Sequence, residues 1–196
     1  MPLSGWQAQS QLAAVAEVLP LKEVVVYSRQ AERREAFAQA MSTTCSCPIV
    51  PTDDPRQAAE GLPVVVTATS SRKPVLQGDW LSPGTLVAAM GSNWLEKTEI
   101  DVETVARARR IVCDDIACCQ KEAGDFVAAL EQGIFDWRHA ENLCDVVAGI
   151  SPANPREQGD ITLFKSVGMA IEDVAVAAWV ARDELRQAGI ELPGLD

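Results

Sequence analysis

Short runs of consecutive apolar residues, set apart by stretches of helix length, recur along the 196-residue chain. This alternation is its strongest constraint on fold. Val24-Val25-Val26-Tyr27 and Val64-Val65-Val66-Thr67-Ala68 are apolar or nearly so at successive positions. A strand with one wet face alternates in polarity; a strand of a parallel sheet, covered on both faces, does not. The runs Thr85-Leu86-Val87-Ala88-Ala89-Met90, Ile111-Val112-Cys113 and Ile161-Thr162-Leu163-Phe164 read the same way, with a shorter one at Pro48-Ile49-Val50. Between them, Ala8, Leu12, Val15, Ala16 and Leu19 recur at helical spacing until Pro20 stops the pattern. Further helices are predicted over 30–41, 55–59, 102–107, 116–132 and 168–188. Strands joined by helices through short connections make right-handed crossovers and an α/β, doubly wound parallel sheet. Its ligands bind beyond the carboxyl ends of the strands.

Residues 174–181 are apolar almost all round, so the last helix is expected to be covered on both sides, in part by a partner subunit. The stretch with Gly149, Pro152, Pro155 and Gly159 reads as loop. A chain of this length buries about two-thirds to three-quarters of its unfolded surface, enough for one domain with a good core. The formal net charge of -11, from 17 Lys+Arg against 28 Asp+Glu, argues against nucleic acid or an anionic membrane and for a small-molecule ligand. No run of 18 apolar residues and no basic segment before an apolar core is present, so a cytoplasmic protein is expected. Six cysteines without a CxxC pair, and the one histidine, His139, fit no common zinc spacing. No metal site is expected, and Cys118-Cys119 reads as helix packing. Asp114, Asp115 and Glu122 read as the acidic residues that helix starts favour rather than as metal ligands.

Ser4-Gly5-Trp6-Gln7-Ala8 has the form of the second half of a dinucleotide-binding glycine turn. Gly5 permits close approach of backbone to phosphate, and Trp6 and Gln7 open a helix whose free N–H groups favour an anion. Leu3 stands where the turn's first glycine belongs, and only three residues precede Ser4. The chain is therefore expected to begin inside the first βα unit of its sheet, with phosphate binding impaired. The Val24 and Val64 strands would then either pair directly or leave edges that invite another chain, giving low stability or an oligomer. At the end of the second strand, Ser28 and Arg29 stand where an acidic residue would accept bonds from a ribose 2'-hydroxyl, with Arg33 one turn on. Serine and guanidinium suit a 2'-phosphate, which favours NADP(H) over NAD(H).

Gly5-Trp6-Gln7-Ala8, Val26-Tyr27-Ser28-Arg29, Val65 through Ser70, Val87 through Asn93 with Lys97-Thr98-Glu99-Ile100-Asp101, and Asp160 through Gly168 occur in register over nearly the whole chain. Together they resemble the ornithine cyclodeaminase and mu-crystallin family. The resemblance implies a Rossmann-like domain over 1–165 and, over 166–196, a C-terminal helix that returns to the substrate and dimer domain. That domain, built mainly from the family's first hundred residues, has no counterpart in this sequence. It implies a homodimer or other self-association, and an NAD(P)-dependent oxidoreductase acting on an amino acid or cyclic imino acid.

The resemblance also places further residues at the site. Thr67, Ala68 and Thr69, with Ser70, would line the nicotinamide ribose, and Met90, Gly91 and Ser92 end the next strand beside it. Lys97 would contact the cofactor, and Ser166 and Val167 would face the nicotinamide, with Lys165 in the same loop. Asn93 occupies the family's catalytic position, which in ornithine cyclodeaminases is an aspartate. An amide hydrogen-bonds but cannot serve as a general base, so imine reduction is favoured over ornithine cyclodeamination. The alternative is a catalytically inactive nucleotide- or ligand-binding remnant of the family.

Overall fold

The structure, a computed structural model, describes residues 5–150 and 159–187. Leu3 and Ser4 of the opening turn, Pro152 and Pro155 of the expected loop, and Ala188 at the expected helix end lie outside these residues. In chain order the chain forms α1 (Trp6–Val18), β1 (Val24–Tyr27), α2 (Ala31–Met41), β2 (Ile49–Thr52), β3 (Val64–Thr67), β4 (Leu86–Ala89), α3 (Val102–Arg107) and β5 (Ala108–Cys113). Then come α4 (Ile116–Glu122), α5 (Val127–Glu131), β6 (Ala140–Asn142), α6 (Leu143–Val147), β7 (Ile161–Lys165) and α7 (Ala170–Gln187). All strand pairings are parallel, as the unbroken apolar runs require.

The pairings divide into two sheets. One holds β1 and β2, and the other runs β3-β4-β7-β5-β6. Helices cover both faces, and alternate residues of one strand feed different cores. Val65 packs with Val87, Leu163, Ile111 and Phe126, whereas Val66 packs with Val24, Val26, Phe37 and the α1 residues Ala8 and Leu12. Stacking of Phe126 on Phe135 at 4.7 Å, with Trp137 edge-on to both, closes the first core beyond β5. The second core holds the two sheets together through α1.

β1 and β3 are not paired, and among the described residues no strand lies between them. The gap separating them is apolar at the strands' amino ends, a cavity of about 520 Å³ bordered by Leu12, Val24, Val25, Leu62, Val64 and Val65. Towards the carboxyl ends it opens into a polar cleft. Of the two outcomes expected for these strands, direct pairing is ruled out.

Several local expectations are corrected. Residues 55–61 form turns rather than a helix, with Arg56 O accepting from both Ala59 N and Glu60 N. The single helix predicted over 116–132 is interrupted by a 3-10 turn at Gly124–Phe126. A Cβ on Gly124 would overlap the carbonyl oxygens of Lys97, Leu95 and Trp94, so the helix is broken where another loop presses against it. In the stretch read as loop, the structure adds β6 and α6, which were not legible because Ala140-Glu141-Asn142 is neither apolar nor alternating. Within the single chain much of α7 is exposed, with Ile171, Val174, Val176 and Trp179 more than half exposed, which leaves open the cover expected from a partner subunit.

Candidate functional site

The cleft at the carboxyl ends of β1 and β3 has a volume of about 860 Å³. It gathers Gly5, Ser28, Arg29, Arg33, Ala68, Thr69 and Ser70, seven of the residues singled out in the sequence. α1 enters it with its amino end. Gly5 is extended there, with φ -105° and ψ 176°, no side chain caps the helix, and its first turn holds no acidic residue. Ala8 N donates to Gly5 O at 3.1 Å, whereas the N–H groups of Trp6 and Gln7, which have no acceptor within a helix, keep their partial positive charge. On the β1 side, Ser28 and Arg29 follow the strand, and Arg33 lies one turn into α2. Ser28 is held through backbone and side chain alike, since Arg34 Nη1 donates to Ser28 O at 3.1 Å and Gln30 N donates to Ser28 Oγ at 3.4 Å.

Lys73 and Trp80 also line this cleft, and sequence reasoning missed both. They lie in an irregular connection, where no periodicity links them to the strand ends. With Arg29, Arg33 and Lys73 on its walls, the cleft is a basic enclave in a chain whose net charge is -11. Such a local field attracts anions whatever the overall charge.

A second group of candidates lies at the tips of β4 and β7, outside the walls of that cleft: Met90, Gly91, Ser92, Asn93, Lys97, Ser166 and Val167. Their backbone is held from beneath by buried charged side chains. Glu99, fully buried, accepts from Thr67 Oγ1 at 3.0 Å, from Gly91 N at 2.6 Å and from Thr69 N. Burial pushes its carboxyl up from the ordinary value, against the opposing pull of the bonds from Thr69 and Gly91. A Cβ on Gly91 would overlap the backbone of Thr69 and the Glu99 carboxylate, so the two strand tips meet only because residue 91 is glycine.

Lys165, at the end of β7, is also fully buried. Its Nζ lies 2.8 Å from Asp125 Oδ2 and donates to Ser92 O at 2.6 Å and to Ala89 O at 3.3 Å. Asp125 Oδ1 accepts in turn from Glu99 N at 2.6 Å and Ile100 N at 3.3 Å. Lys165 therefore does not sit in the loop but braces the loop of Asn93 from inside the sheet. Thr67 and Ser92, expected at the ligand, are buried as well; Thr67 bonds Glu99, and Ser92 Oγ donates to Lys97 O at 2.7 Å. Their hydroxyls belong to the scaffold.

Asp114 departs from its expected part too. Asp115 caps α4 by accepting from Cys118 N at 2.7 Å, as a helix-start aspartate should. Asp114 instead is buried and clasps the loop after β7, its Oδ2 accepting from Ser166 Oγ at 2.9 Å and from Val167 N and Gly168 N at 2.8 Å each. Cys119 packs beneath it and donates to Asp114 Oδ1 at 3.3 Å; a hydrogen bond with Cys113, then burial, hold its thiol far above the ordinary range. Asn93 and Lys97 are exposed or half-buried on the loop, with Lys97 Nζ 3.5 Å from Asn93 Oδ1. The result is a carboxyl edge braced by buried hydrogen bonds, beside a basic cleft.

Known proteins resemble the chain in sequence and in fold. The chain is 35% identical over 188 residues to an "Uncharacterized cyclodeaminase" of Sinorhizobium fredii, covering 95% of this chain and 56% of the relative. It is 36% identical over 188 residues to the Delta(1)-pyrroline-2-carboxylate/Delta(1)-piperideine-2-carboxylate reductase of Azospirillum brasilense, again covering 95% of this chain and 56% of the other. Among solved structures, the Thermococcus litoralis Delta(1)-pyrroline-2-carboxylate reductase in complex with NADH and L-proline superposes with a TM-score of 0.87 at 33% identity, over 95% of this chain and 57% of that one. The chain thus spans a little over half the length of these relatives. The Ornithine cyclodeaminase/mu-crystallin family model matches residues 4–189, and the chain belongs to that family.

Proposed function

We propose that this polypeptide serves an NAD(P)-dependent oxidoreductase that reduces a cyclic imino acid, with NADP(H) preferred to NAD(H). The observation that carries the reading is the cleft that joins the amino end of α1 to Arg29 and Arg33 on one side and to Thr69 on the other. Gly5, Trp6 and Gln7 would hold the pyrophosphate at the helix end, and Ser28, Arg29 and Arg33 the 2'-phosphate through charge-assisted bonds. The dinucleotide, when bound, supplies the hydride. Ala68, Thr69, Met90, Gly91, Ser166 and Val167 would shape the nicotinamide end, where the Glu99 and Asp114 bonds keep the backbone from yielding.

Asn93 would orient the substrate beside that end, and Lys97 would contact the cofactor. Asn93 offers an amide, which holds a ring nitrogen or carboxylate by hydrogen bonds and takes no proton. Reduction of an imine needs no base to deprotonate an amine first, whereas cyclodeamination does. The apolar face of α7, with Val174 and Trp179 exposed, would pack against a substrate and dimer domain and serve self-association. Free thiols at Cys45, Cys113 and Cys119, among others, suit a reducing cytoplasm.

Titration of the chain with NADPH and NADH, read by energy transfer from Trp80 in the cleft wall to the reduced nicotinamide, tests the proposal. NADPH should bind at least about tenfold more tightly, a difference of the size one charge-assisted pair contributes. Arg29→Ala should abolish that preference. Absence of saturable binding by either nucleotide refutes the reading.

A further inference from the structure

Glu99, Asp114, Asp125 and Lys165 are the charged side chains buried among the described residues, and one of the four is a cation. Lys165 is committed to Asp125 at 2.8 Å. Asp114 holds the loop after β7. The bonds that Glu99 receives come from neutral donors: the Thr67 hydroxyl, the Thr69 amide and the Gly91 amide. Both of its oxygens are acceptors in these bonds, which is the pattern an ionised carboxylate satisfies. A buried carboxylate with only neutral partners projects its charge onto whatever lies beyond them.

What lies beyond them follows from the peptide plane. In a trans peptide the N–H and the preceding C=O point in opposite directions, and no cis bond occurs in the described chain. Because Thr69 N and Gly91 N point down at Glu99, the carbonyls of Ala68 and Met90 point away from it. Ala68 and Thr69 both line the cleft, so the peptide that joins them borders it. The dipole of that peptide, with the buried anion behind it, therefore bears on the nicotinamide end of the proposed site, and the Met90 peptide is held the same way at the neighbouring strand tip.

We propose that Glu99 is a positioning residue that fixes the Ala68 and Met90 carbonyls and thereby makes this end selective for a cationic ring, the oxidised rather than the reduced nicotinamide. The inference rests on the cofactor reading above. It also accounts for a site that lacks a carboxylate at Asn93: the negative potential comes from beneath the strand tips instead of from a side chain in contact with the ligand. The same potential favours a substrate imine in its protonated form, the form that accepts hydride.

Three ligands separate the effects in wild type and Glu99→Gln: NADP+, NADPH, and 2'-phospho-ADP-ribose, which lacks nicotinamide. Glu99→Gln should weaken NADP+ on the order of tenfold, as expected for one charge acting over about two peptide widths at an intermediate dielectric. NADPH should weaken about threefold or less, and 2'-phospho-ADP-ribose should be unaffected. Glu99→Asp, which keeps the charge, should preserve the ratio of NADP+ to NADPH affinity within about threefold of wild type. Should Glu99→Gln fail to fold, that ratio in Glu99→Asp decides alone. Equal loss of NADP+ and NADPH, or a ratio that collapses in Glu99→Asp, overturns the inference while leaving the cofactor reading intact. If wild type binds none of the three, the cofactor reading falls and the inference with it.

Discussion

Lys165 and Asp125, 40 positions apart in sequence (165 - 125), form a fully buried ion pair with Nζ 2.8 Å from Oδ2. One side chain ends a central strand and the other lies in the 3-10 turn between α4 and α5, so the pair ties the sheet to its helical cover. Through Ser92 O and Glu99 N it also holds both ends of the loop that carries Asn93. Removing one partner should leave an uncompensated buried charge and destabilise the protein by about 3–5 kcal/mol. Urea unfolding of Lys165→Met and of Asp125→Asn measures this. The double variant Lys165→Met/Asp125→Asn should lose less than the two single losses added together. Full additivity would show that the pair is not coupled.

Asp114 makes a second prediction, local rather than global. Its Oδ2 accepts three donors from 166–168, among them the amides of Val167 and Gly168. Asp114→Ala should leave those donors without their acceptor, at a cost of about 1–3 kcal/mol in the loop. Hydrogen exchange at Val167 and Gly168 should accelerate by at least about tenfold, while the interior of β4 changes little. Uniform acceleration throughout the sheet would instead mark Asp114 as a determinant of global stability.

Gly124 presents the opposite problem, a side chain that cannot be added. A methyl group there would run into the carbonyl oxygens of Lys97, Leu95 and Trp94, none of which is the end of a flexible side chain. Gly124→Ala should cost about 1–3 kcal/mol, as overpacking does, with displacement of the Asn93 loop. Gly133 has open space around its Cβ position but a φ of 67°, so Gly133→Ala tests backbone strain without a clash. Only the change at Gly124 should weaken nucleotide binding.

The pH dependence of stability should carry the signature of Glu99. Burial raises its carboxyl above the ordinary value of 4.5, so the folded state holds the proton more tightly than the unfolded chain does. Its contribution to stability is then fully present below pH 4.5 and is lost as pH rises through the folded value. Glu99→Gln should therefore gain on wild type in urea stability between pH 4.5 and pH 7.5. A difference that is flat over this range, or that moves the other way, would show that hydrogen bonds outweigh burial at this site.

The readable features were those that repeat or terminate locally. Strands β1, β3, β4, β5 and β7 fall on runs that are apolar at consecutive positions, and Ser28, Arg29 and Thr69 were placed at the cleft because ligand groups follow strand ends in such sheets. β6, the break at Gly124 and the turns over 55–61 were not readable. Each is set by what packs against it rather than by its own residues. Lys73 escaped notice for the same reason, since only the folded connection brings it to the cleft that Arg29 also lines.

Sequence alone determined the layered α/β architecture, the parallel sense of the strands, the family, and the strand tips at which candidate residues would gather. The family follows from the resemblance of motifs in register, and the rest from periodicity and chain order, which are local. The tertiary structure decided which polar side chains face a ligand and which hold up the site. Thr67, Ser92 and Lys165 turned inward, Asp114 and Glu99 became clasps, and β1 and β3 were left apart across an apolar gap. The physical reason is that burial and charge pairing depend on partners distant in sequence. Glu99 meets Thr67 across 32 residues and Lys165 meets Ser92 across 73, and no local pattern encodes either meeting.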